Sequence, residues 1–558
     1  MEAILAPLFK LLEAGMELLV PFVVAAVVNN GVGGKDQNYV IYGCLILAAF
    51  GVVGLAFALT AQYFAARAAV GTSAQLRSRL FSKLQSFSYS QIDETGTAAM
   101  IARMTSDVNQ VQTGVNMTLR ILLRSPIVVF GATAMAFVKD WHTSLVFLGV
   151  LPLLIAVVVA VMAAGIPLYR KVQGKLDRVY ATTRDNLTGA RVIRAFCKEE
   201  DEIKEFAQRN AELCKQQKKA GRIAAIMNPL TFVLVNAAVI ALVYFGAIRV
   251  DHGNLLQGDV IALYSYLSLI LVELVKLASL IFTITKAISC QKRIGAVLDE
   301  ESEPSTLCEN AEEGNADLAV EFKDVTFTYA GGGAPALSDI DFAVRRGETV
   351  GILGGTGSGK STLINLIPRF YTATEGSVFV GGKNVSAIPR EELRERVAVV
   401  PQRAVLFKGT IRSNLLWGNG NASEEELEKA VRIAQAADVV KSKGGLEGEV
   451  VQEGKNLSGG QRQRLTIARA LVQPSEILIL DDSSSALDYA TDAALRAALK
   501  ELNKTLFVVS QRASSVRHAD KIIVLDDGKI AGMGTDEELK KTCELYREIC
   551  ASQEREEA

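Results

Sequence analysis

The sequence predicts two fold classes in one chain: an all-α membrane domain of six helices, followed by an α/β domain. Six apolar runs precede residue 290, each long enough for a membrane helix, which needs about 20 such residues. After residue 319 the pattern changes to short strands that alternate with helices. The mean hydropathy of +0.24 is also high for a soluble protein, which indicates that the apolar residues are concentrated in membrane spans.

Charge and cysteine content exclude several classes of protein. The 60 Lys and Arg residues balance 61 Asp and Glu residues, so nucleic acid cannot be held through a large charge excess, although a local basic patch would not show in this total. The seven cysteines form no CxxC pair, and three histidines are too few for a His-rich metal site. We therefore expect free thiols in a reducing compartment, and no nucleic-acid partner.

The six predicted spans have short connections on one side and long basic connections on the other. The spans are 3–28, 40–66, 119–138, 143–165, 226–248 and 258–285, and the first lacks the basic start of a signal peptide. The short connections hold one Lys or Arg each, whereas segment 67–118 holds five and segment 167–222 holds fourteen. Because basic loops stay in the cytoplasm, we expect both long segments and both chain ends on that side.

Both long basic segments have helical patterning and few prolines, with Leu76, Leu80 and Leu84 spaced at i, i+4 in the first. They are predicted to be helices that project from the membrane and turn at Gly96 and Gly189; the alternative is a solvated charged loop. Residues 299–317 are acidic, contain Pro and Gly, and are predicted to be a linker. The expected domains are therefore 1–298, a membrane domain, and 318–553, an α/β domain.

A phosphate-binding loop is predicted between Gly354 and Ser361, where GGTGSGKS fits the pattern GxxxxGK[ST]. It follows the strand 349–353 and opens the helical stretch 362–370, which makes a chance glycine-rich turn a poor alternative. Backbone N–H groups and a helix N-terminus would bind phosphate there. Lys360 would reach the β- and γ-phosphates, and the Ser361 hydroxyl would ligate Mg²⁺. The candidate ATP-binding residues of this loop are Gly354, Thr356, Gly357, Ser358, Gly359, Lys360, Ser361 and Thr362.

Further motifs make the second half resemble the ATP-binding cassette family. The apolar strand 477–480 ends in Asp481 and Asp482, and LSGGQ lies about 20 residues before it, at 457–461. By this resemblance Asp481 and Gln402, the latter in VVPQ, join Ser361 around Mg²⁺. Tyr329, 31 residues before Lys360, would stack on adenine; the alternative is a buried strand aromatic.

The resemblance covers essentially the whole chain and implies an exporter-type half-transporter. Two such chains would work together, each ATP being held between the P-loop of one chain and the LSGGQ motif of the other. The helix tips around 88–93 and 186–191 would pass the movement to the membrane domain. The residues implied to act on the partner's ATP are Ser458, Gly459, Gly460 and Gln461.

Two departures from the family pattern concern the residues that would carry out hydrolysis. Asp482 stands where the family usually has Glu, and Gln511 stands where it has His. Asp is shorter by one methylene, and a misplacement of about 1 Å can slow a reaction ~10²-fold. The hypothesis is a site that binds ATP but hydrolyses it slowly, in a heterodimer whose partner chain carries Glu and His. The chain thus resembles the degenerate-site subunit of heterodimeric bacterial multidrug exporters.

The substrate is not specified by the sequence. Exporters of this type move amphipathic drugs, lipids or peptides, and polar residues in spans usually face the bundle or a cavity. The pair Glu273/Lys276 is expected to be either a structural ion pair or part of a substrate cavity.

Alternative functions are an importer on the same fold, or an ATP-gated regulatory or channel-like protein. We expect a bacterial plasma membrane. The family's amphipathic elbow helix is missing before the first span, which favours truncation over natural absence. The polar candidates in the spans are Glu13, Glu17, Gln62, Asn228, Asn236, Glu273 and Lys276.

Overall fold

The computed structural model describes residues 1–306 and 312–557. The side chains at positions 158, 161, 162, 224, 227, 228 and 554–557 are not described, so the candidate Asn228 and part of the predicted linker, 307–311, lie outside the described residues. The chain divides into two compact units. The first contains residues 1–84 and 98–300, and the second contains residues 85–97 and 301–558.

Long helices build the first unit, and two of the glycine breaks between them fall where the sequence predicts. Helix α2 runs unbroken for 49 residues, about 73 Å at 1.5 Å per residue, more than twice the hydrocarbon thickness of a bilayer. The chain breaks at Gly96, with φ +74°, and again at Gly189. The helices of this part of the chain are α1 Glu2–Ala26, α2 Gln37–Gln85, α3 Tyr89–Thr95, α4 Thr97–Ala102, α5 Val108–Ile121, α6 Arg124–Lys139, α7 Trp141–Thr188, α8 Ala190–Ala195, α9 Glu199–Asp251 and α10 Gln257–Asp299.

Within the described residues, five helical segments are long and apolar enough to cross a membrane. They contain the predicted spans 3–28, 40–66, 119–138 and 258–285, and the segment Pro229–Asp251 covers all but the first three residues of the predicted span 226–248. The remaining predicted span, 143–165, lies inside α7, where the apolar stretch Trp141–Val157 is shorter than the other five. The prediction of helices rather than solvated loops for 67–118 and 167–222 is confirmed, since both are almost entirely helical.

The second unit contains two larger sheets. A six-stranded sheet has the order β12-β11-β3-β10-β9-β6, parallel except for the edge strand β12, and a four-stranded antiparallel sheet has the order β2-β1-β4-β5. The strands are β1 Leu318–Phe327, β2 Leu337–Arg345, β3 Thr349–Gly354, β4 Glu375–Val380, β5 Lys383–Asn384, β6 Val397–Val400, β7 Gly409–Thr410, β8 Glu449–Val450, β9 Ile477–Asp481, β10 Thr505–Ser510, β11 Lys521–Asp526 and β12 Lys529–Gly534.

Helices surround these sheets and leave the central strands buried on both faces, which explains the short, continuous apolar runs at β3, β9 and β10. The helices are α11 Lys360–Leu366, α12 Arg390–Arg396, α13 Ile411–Leu415, α14 Glu424–Ile433, α15 Ala437–Ser442, α16 Gly459–Val472, α17 Tyr489–Lys500, α18 Ala513–Val516, α19 Asp536–Thr542 and α20 Glu544–Glu557. Helix α11 ends before the predicted stretch 362–370 does.

The strand order positions the candidate site. Strands β3, β10, β9 and β6 are parallel neighbours, so their carboxyl ends lie side by side at one edge of the sheet. Ligands of open α/β sheets bind outside this edge. The segments that leave the four strands there are the phosphate loop, Gln511, the Asp481–Asp482 pair and Gln402.

Candidate functional site

The phosphate loop connects β3 to α11 through glycines that other residues could not replace. Gly357 and Gly359 have φ of +84° and +95°, in the region that L-residues rarely adopt. A Cβ on Gly359 would also lie 2.8 Å from Leu337 Cδ2 and 3.0 Å from the Ala336 carbonyl oxygen. The loop therefore keeps a tight path that directs its backbone N–H groups towards a ligand.

Lys360 is nine-tenths buried and held by the loop itself. Its ammonium donates to the carbonyl oxygens of Gly354 at 2.9 Å and Gly355 at 2.5 Å, and lies 3.4 Å from Ser358 Oγ. Burial lowers the pKa of Lys360, while Asp482 and Asp481 act in the opposite direction. The cation is thus fixed beside the loop, where phosphate oxygens would be its natural partners.

Ser361 and Asp481 form the predicted metal pair. The Ser361 hydroxyl donates to Asp481 Oδ1 at 3.1 Å, although the two residues are 120 positions apart. Adjacent ligands of an octahedral Mg²⁺, bound at 2.0–2.1 Å, lie about 2.9 Å apart, so these oxygens fit as neighbouring ligands. Burial raises the pKa of Asp481 against the opposing hydrogen bond from Ser361. A buried carboxylate of this kind favours a bound cation.

Asp482 follows at the end of β9 with φ +43°, an uncommon conformation for a residue other than glycine. Its backbone N–H donates to the Val509 carbonyl at 3.0 Å, and its Oδ2 lies 3.5 Å from Gln402 Nε2. Burial raises the pKa of Asp482, while Gln402, Lys360 and Arg512 lower it. The structure therefore brings the candidate residues Gln402 and Asp482 together.

Gln511 reaches the same place from the end of β10. Its side-chain Oε1 lies 3.5 Å from Thr356 Oγ1 in the phosphate loop. Its backbone carbonyl accepts a 2.8 Å hydrogen bond from Gln553, which anchors the segment after β10. The side chain beside the loop is a neutral amide, which can donate a hydrogen bond but supplies no positive charge.

Tyr329 lies at the other end of the site. Its hydroxyl is 2.9 Å from Thr362 Oγ1, and its ring meets the rings of Phe327 and Tyr371 edge to face, at 4.8 and 5.3 Å. The side chain remains 37% exposed, so a wholly buried strand aromatic does not describe it. The exposed part of this side chain is therefore available to a ligand.

A cavity of about 370 Å³ joins these residues, a volume within the usual range for small-molecule sites. Eleven predicted site residues line it: Tyr329, Thr356, Gly357, Gly359, Lys360, Ser361, Thr362, Gln402, Asp481, Asp482 and Gln511. Gly354 and Ser358 instead contact Lys360 from the loop. Four lining residues were missed in the sequence: Pro335, Ala336, Asp527 and Gly528.

The missed Asp527–Gly528 pair forms the turn between β11 and β12. Both residues have positive φ, +41° and +77°, and the Gly528 N–H donates to the Ser358 carbonyl at 3.3 Å. An Asp-Gly pair between two strands is a strong hairpin signal in the sequence. Its place beside the phosphate loop follows from β11 pairing with β3, which the local pattern does not encode.

The LSGGQ residues lie elsewhere. Ser458 caps α16: its Oγ accepts from the Gln461 N–H at 3.3 Å, and its own N–H donates to Gln461 Oε1 at 3.0 Å. A Cβ on Gly460 would lie 2.8 Å from the Ala486 carbonyl oxygen, whereas one on Gly459 would meet nothing within 4 Å. None of these four residues is among the residues that line the described cavity. They present an open helix N-terminus instead.

Three of the polar candidates in the first unit, Glu17, Glu273 and Lys276, join Arg124 in a charge cluster in which Arg124 and Glu273 are buried. Arg124 donates to Glu273 Oε1 and to Glu17 Oε2, both at 2.5 Å, and Ser125 donates to Glu273 Oε2 at 2.7 Å. Lys276 pairs with Glu273 at 2.8 Å, as its i, i+3 spacing predicts. Four charges therefore compensate one another across α1, α6 and α10. Arg124 was not among the polar candidates in the sequence, because it stands at the start of a helix where a basic segment gives way to an apolar one.

Comparison with known proteins gives consistent matches to both units. The family model described as ABC transporter transmembrane region matches residues 3–274, and the model described as ABC transporter matches residues 337–485. An uncharacterized ABC transporter ATP-binding protein of Bacillus subtilis is 34% identical over 98% of this chain and 96% of its own length. One of Mycobacterium tuberculosis is 37% identical over 98% of this chain and 95% of its own length.

Two further similarities concern proteins with more specific names. A protein of Chromobacterium violaceum named ATP-dependent lipid A-core flippase is 30% identical over 94% of this chain and 90% of its own length. A solved structure of a bacterial Atm1-family ABC exporter with ATP bound superposes with a TM-score of 0.84, covering 99% of this chain and 98% of that one. At 23% identity, this structural similarity indicates a shared fold.

Proposed function

The chain belongs to the ABC transporter family, and on this premise we propose that it is one half of a heterodimeric exporter whose own ATP site hydrolyses slowly. Its family makes it a multi-pass membrane protein with an ATP-hydrolysing domain in the same chain. The observation that carries the proposal is the combination of Asp482 and Gln511 with an otherwise complete phosphate loop.

The residues of the site divide into a binding group and a hydrolysis group. Lys360 and the loop N–H groups would hold the phosphates of ATP, and Tyr329 would stack on its base. Mg²⁺, held by Ser361 and Asp481 with Gln402 nearby, would neutralise phosphate charge. This group is complete, which supports ATP binding at this site.

The hydrolysis group is weaker. Asp482 must orient and polarise the attacking water, but its carboxylate ends one methylene, about 1.5 Å, short of a glutamate's. Gln511 can donate to the γ-phosphate, yet it adds no charge to stabilise the transition state. Both changes act on the same chemical step, so slow turnover at this site is the expected consequence.

Each chain would supply the second half of the other chain's ATP site. The intact LSGGQ residues Ser458, Gly459, Gly460 and Gln461 would complete the partner's site, where the N-terminus of the 14-residue helix α16 favours the γ-phosphate. Exposed apolar side chains around helix α8 also support a partner: Leu187, Val192 and Phe196 lie there. A competent partner site would carry Glu and His at the positions of Asp482 and Gln511.

The proposed substrate is a small amphipathic molecule of lipid-like character, moved outward across a bacterial plasma membrane. The relatives named lipid A-core flippases support the substrate class. The uneven distribution of Lys and Arg supports cytoplasmic placement of both termini and of the long helical segments. The neutral charge cluster around Arg124 gives no preference for a cationic over an anionic substrate.

The ATPase rate of the purified full-length chain tests the assembly. The chain alone should hydrolyse ATP slowly, and co-expression with the half-transporter encoded beside it should raise the rate about 10²-fold. In the pair, Ser458→Arg in this chain should abolish the fast rate because it blocks the partner's site. Lys360→Ala should leave most of the rate, because it affects the slow site. Full activity of the chain alone would contradict the heterodimer.

A transport assay tests direction and substrate class. Inside-out vesicles that contain the pair should accumulate a fluorescent phospholipid analogue in their inner leaflet when Mg-ATP is added outside. The same vesicles with Lys360→Ala in this chain and the matching change in the partner serve as the control. ATP-dependent loss of preloaded substrate would instead indicate import. ATP turnover without any flux would indicate a gated regulatory protein.

A further inference from the structure

A short helix that is remote in sequence packs into the second unit beside the base end of the nucleotide site. This helix, α3, is held by a capping box between Ser88 and Gln91 and ends at Gly96. Gln91 Nε2 donates to the Glu301 carbonyl at 2.8 Å, and the Glu303 N–H donates to the Ser86 carbonyl at 3.0 Å. The start of the linker therefore fastens this helix to the ATP-binding unit.

The outer face of α3 meets an aromatic pair that follows the phosphate-loop helix. The Tyr371 hydroxyl donates to Asp93 Oδ2 at 2.6 Å, across 278 residues of sequence. The ring of Tyr89 stacks on Phe370 with centroids 4.4 Å apart. Burial, followed by the hydrogen bond to Asp93, raises the pKa of Tyr371, so its hydroxyl stays protonated and keeps donating at neutral pH.

The Tyr371 ring also contacts the ring of Tyr329. The two rings meet edge to face at 5.3 Å and 80°, and the Tyr329 hydroxyl lies 2.9 Å from Thr362 in α11. Tyr371 itself does not line the nucleotide cavity, whereas Tyr329 does. Two rings therefore connect the base end of the cavity to the carboxylate of Asp93 through direct contacts.

We propose that Tyr371 is a positioning residue that couples the binding of a nucleotide base at Tyr329 to the anchoring of helix α3 at Asp93. A base that stacks on Tyr329 would fix that ring, which in turn would restrict Tyr371 and tighten its hydrogen bond to Asp93. Occupancy of the adenine end of the site, rather than of the phosphate end, then determines how firmly helix α3 is anchored. This inference rests on the proposed function, because it gives a slowly hydrolysing site a signalling role that ATP and ADP would perform alike.

Helix α3 is well placed to pass on the signal. It is joined to the 49-residue helix α2 through residues 86–88 and to α4 through Gly96 alone. A change in its anchoring therefore reaches two helices that continue towards membrane spans. Coupling of this kind is reciprocal, so anchoring of α3 must favour base binding to the extent that base binding favours anchoring.

Hydrogen exchange of the full-length chain in lipid nanodiscs tests the inference. Saturating ATP or ADP should slow exchange in peptides from 89–95 by about threefold or more, because the anchored helix opens less often. Inorganic tripolyphosphate serves as a ligand without a base. It should protect the phosphate-loop peptide 354–362, which shows occupancy, and leave 89–95 unchanged. Equal protection of 89–95 by tripolyphosphate would overturn the role of the base.

A variant of Tyr371 distinguishes a role in coupling base binding to helix α3 from a purely structural role in holding that helix. Tyr371→Phe keeps the ring and removes the hydroxyl, so ATP should still protect 354–362, and its affinity should fall by no more than the coupling factor that is lost. The ATP-dependent slowing of 89–95 should be lost. Faster exchange of 89–95 without ATP, combined with an unchanged ATP effect, would show that the contact is merely structural and would overturn the proposal.

Tyr546→Phe is the matched control. Tyr546 donates to Asp536 at 2.6 Å, the same type and length of bond as Tyr371 to Asp93, but in helices α19 and α20. This variant should keep the full ATP effect on 89–95, and its loss there would overturn the assignment to Tyr371. The ATPase rate of the same samples tests the slow site separately. Fast hydrolysis would contradict the proposed function and leave the exchange result intact.

Discussion

Gln402 Nε2 lies 3.5 Å from Oδ2 of Asp482, at the outer limit of a hydrogen bond. Gln402 follows β6 and Asp482 follows β9, and the carboxyl ends of these two parallel strands are adjacent. Gln511 Oε1 is also 3.5 Å from its partner, Thr356 Oγ1. The side-chain contacts of Lys360 and Ser361 are 2.5 to 3.4 Å long, whereas those of the Asp482 and Gln511 side chains are both 3.5 Å.

Lengthening the carboxylate at position 482 should restore hydrolysis. In the chain alone, Asp482→Glu should raise kcat for ATP about tenfold or more, because roughly 1 Å of misplacement costs up to ~10² in rate. The measurement is phosphate release at saturating Mg-ATP. Asp438→Glu, at an exposed carboxylate paired with Arg464, makes the same extension elsewhere and should change nothing. An unchanged rate in Asp482→Glu would show that geometry is not limiting.

The buried Asp481 should destabilise the ligand-free protein at neutral pH. Burial raises the pKa of Asp481 in the folded protein above the ordinary value of 3.8, so the folded state binds the proton more tightly than the unfolded state. The free energy of unfolding therefore falls as the pH rises from 3.8 through the pKa of the folded state. Asp481→Asn should therefore raise the apparent melting temperature at pH 7 and 8. The gain should shrink as pH approaches 4. A gain that grows towards acid pH would contradict the sign of the shift.

Arg369 should be a strong determinant of stability in the second unit. Its side chain is 1% exposed and donates to the carbonyls of Val385 at 2.9 Å, Ile388 at 3.1 Å and Ser305 at 2.6 Å. Arg369→Met removes the donor to the Val385 and Ile388 carbonyls, whereas the Ser305 carbonyl keeps the Arg390 N–H at 2.9 Å, so the change should cost about 2–4 kcal/mol in total. We expect the apparent melting temperature to fall by roughly 5–10 °C. The exposed Arg403→Met is the control, and an equal effect there would contradict the prediction.

Arg124 and Lys276 should differ sharply although both pair with Glu273. Glu273 is 2% exposed and Lys276 is 43% exposed. Arg124→Met leaves Glu17 without the cation that binds it and removes one from Glu273, which should cost about 3 kcal/mol or more. Lys276→Met should cost less, because Glu273 keeps Arg124 and the Ser125 hydroxyl as partners. Thermal unfolding in detergent, monitored through the labelling of the buried Cys290, measures the stability loss of both variants.

A double variant identifies the cause of the Arg124 effect. Glu273→Gln removes a carboxylate that Arg124→Met leaves under-compensated. If an uncompensated buried charge is responsible, Arg124→Met/Glu273→Gln should recover part of the lost stability. Strictly additive losses would indicate that packing of the Arg124 side chain matters instead.

Local pattern predicted most of the architecture of this protein. The phosphate loop, the strand that ends in Asp481 and the positions of five spans follow from periodicity and glycine spacing over 10 to 25 neighbouring residues. The breaks at Gly96 and Gly189 were predicted for the same reason, since they interrupt helical patterning locally. The departures at Asp482 and Gln511 are likewise visible in the sequence itself.

The tertiary structure decided which distant residues meet. Asp527 and Gly528 border the site because β11 pairs with β3. Arg124 joins Glu17 and Glu273 because α1, α6 and α10 pack together. Tyr371 bonds Asp93 across 278 residues. Such contacts depend on strand order and helix packing, which arise when whole faces of helices and strands are buried against one another. The hydrophobic periodicity of one segment shows which of its faces is buried, but not which other segment packs against that face.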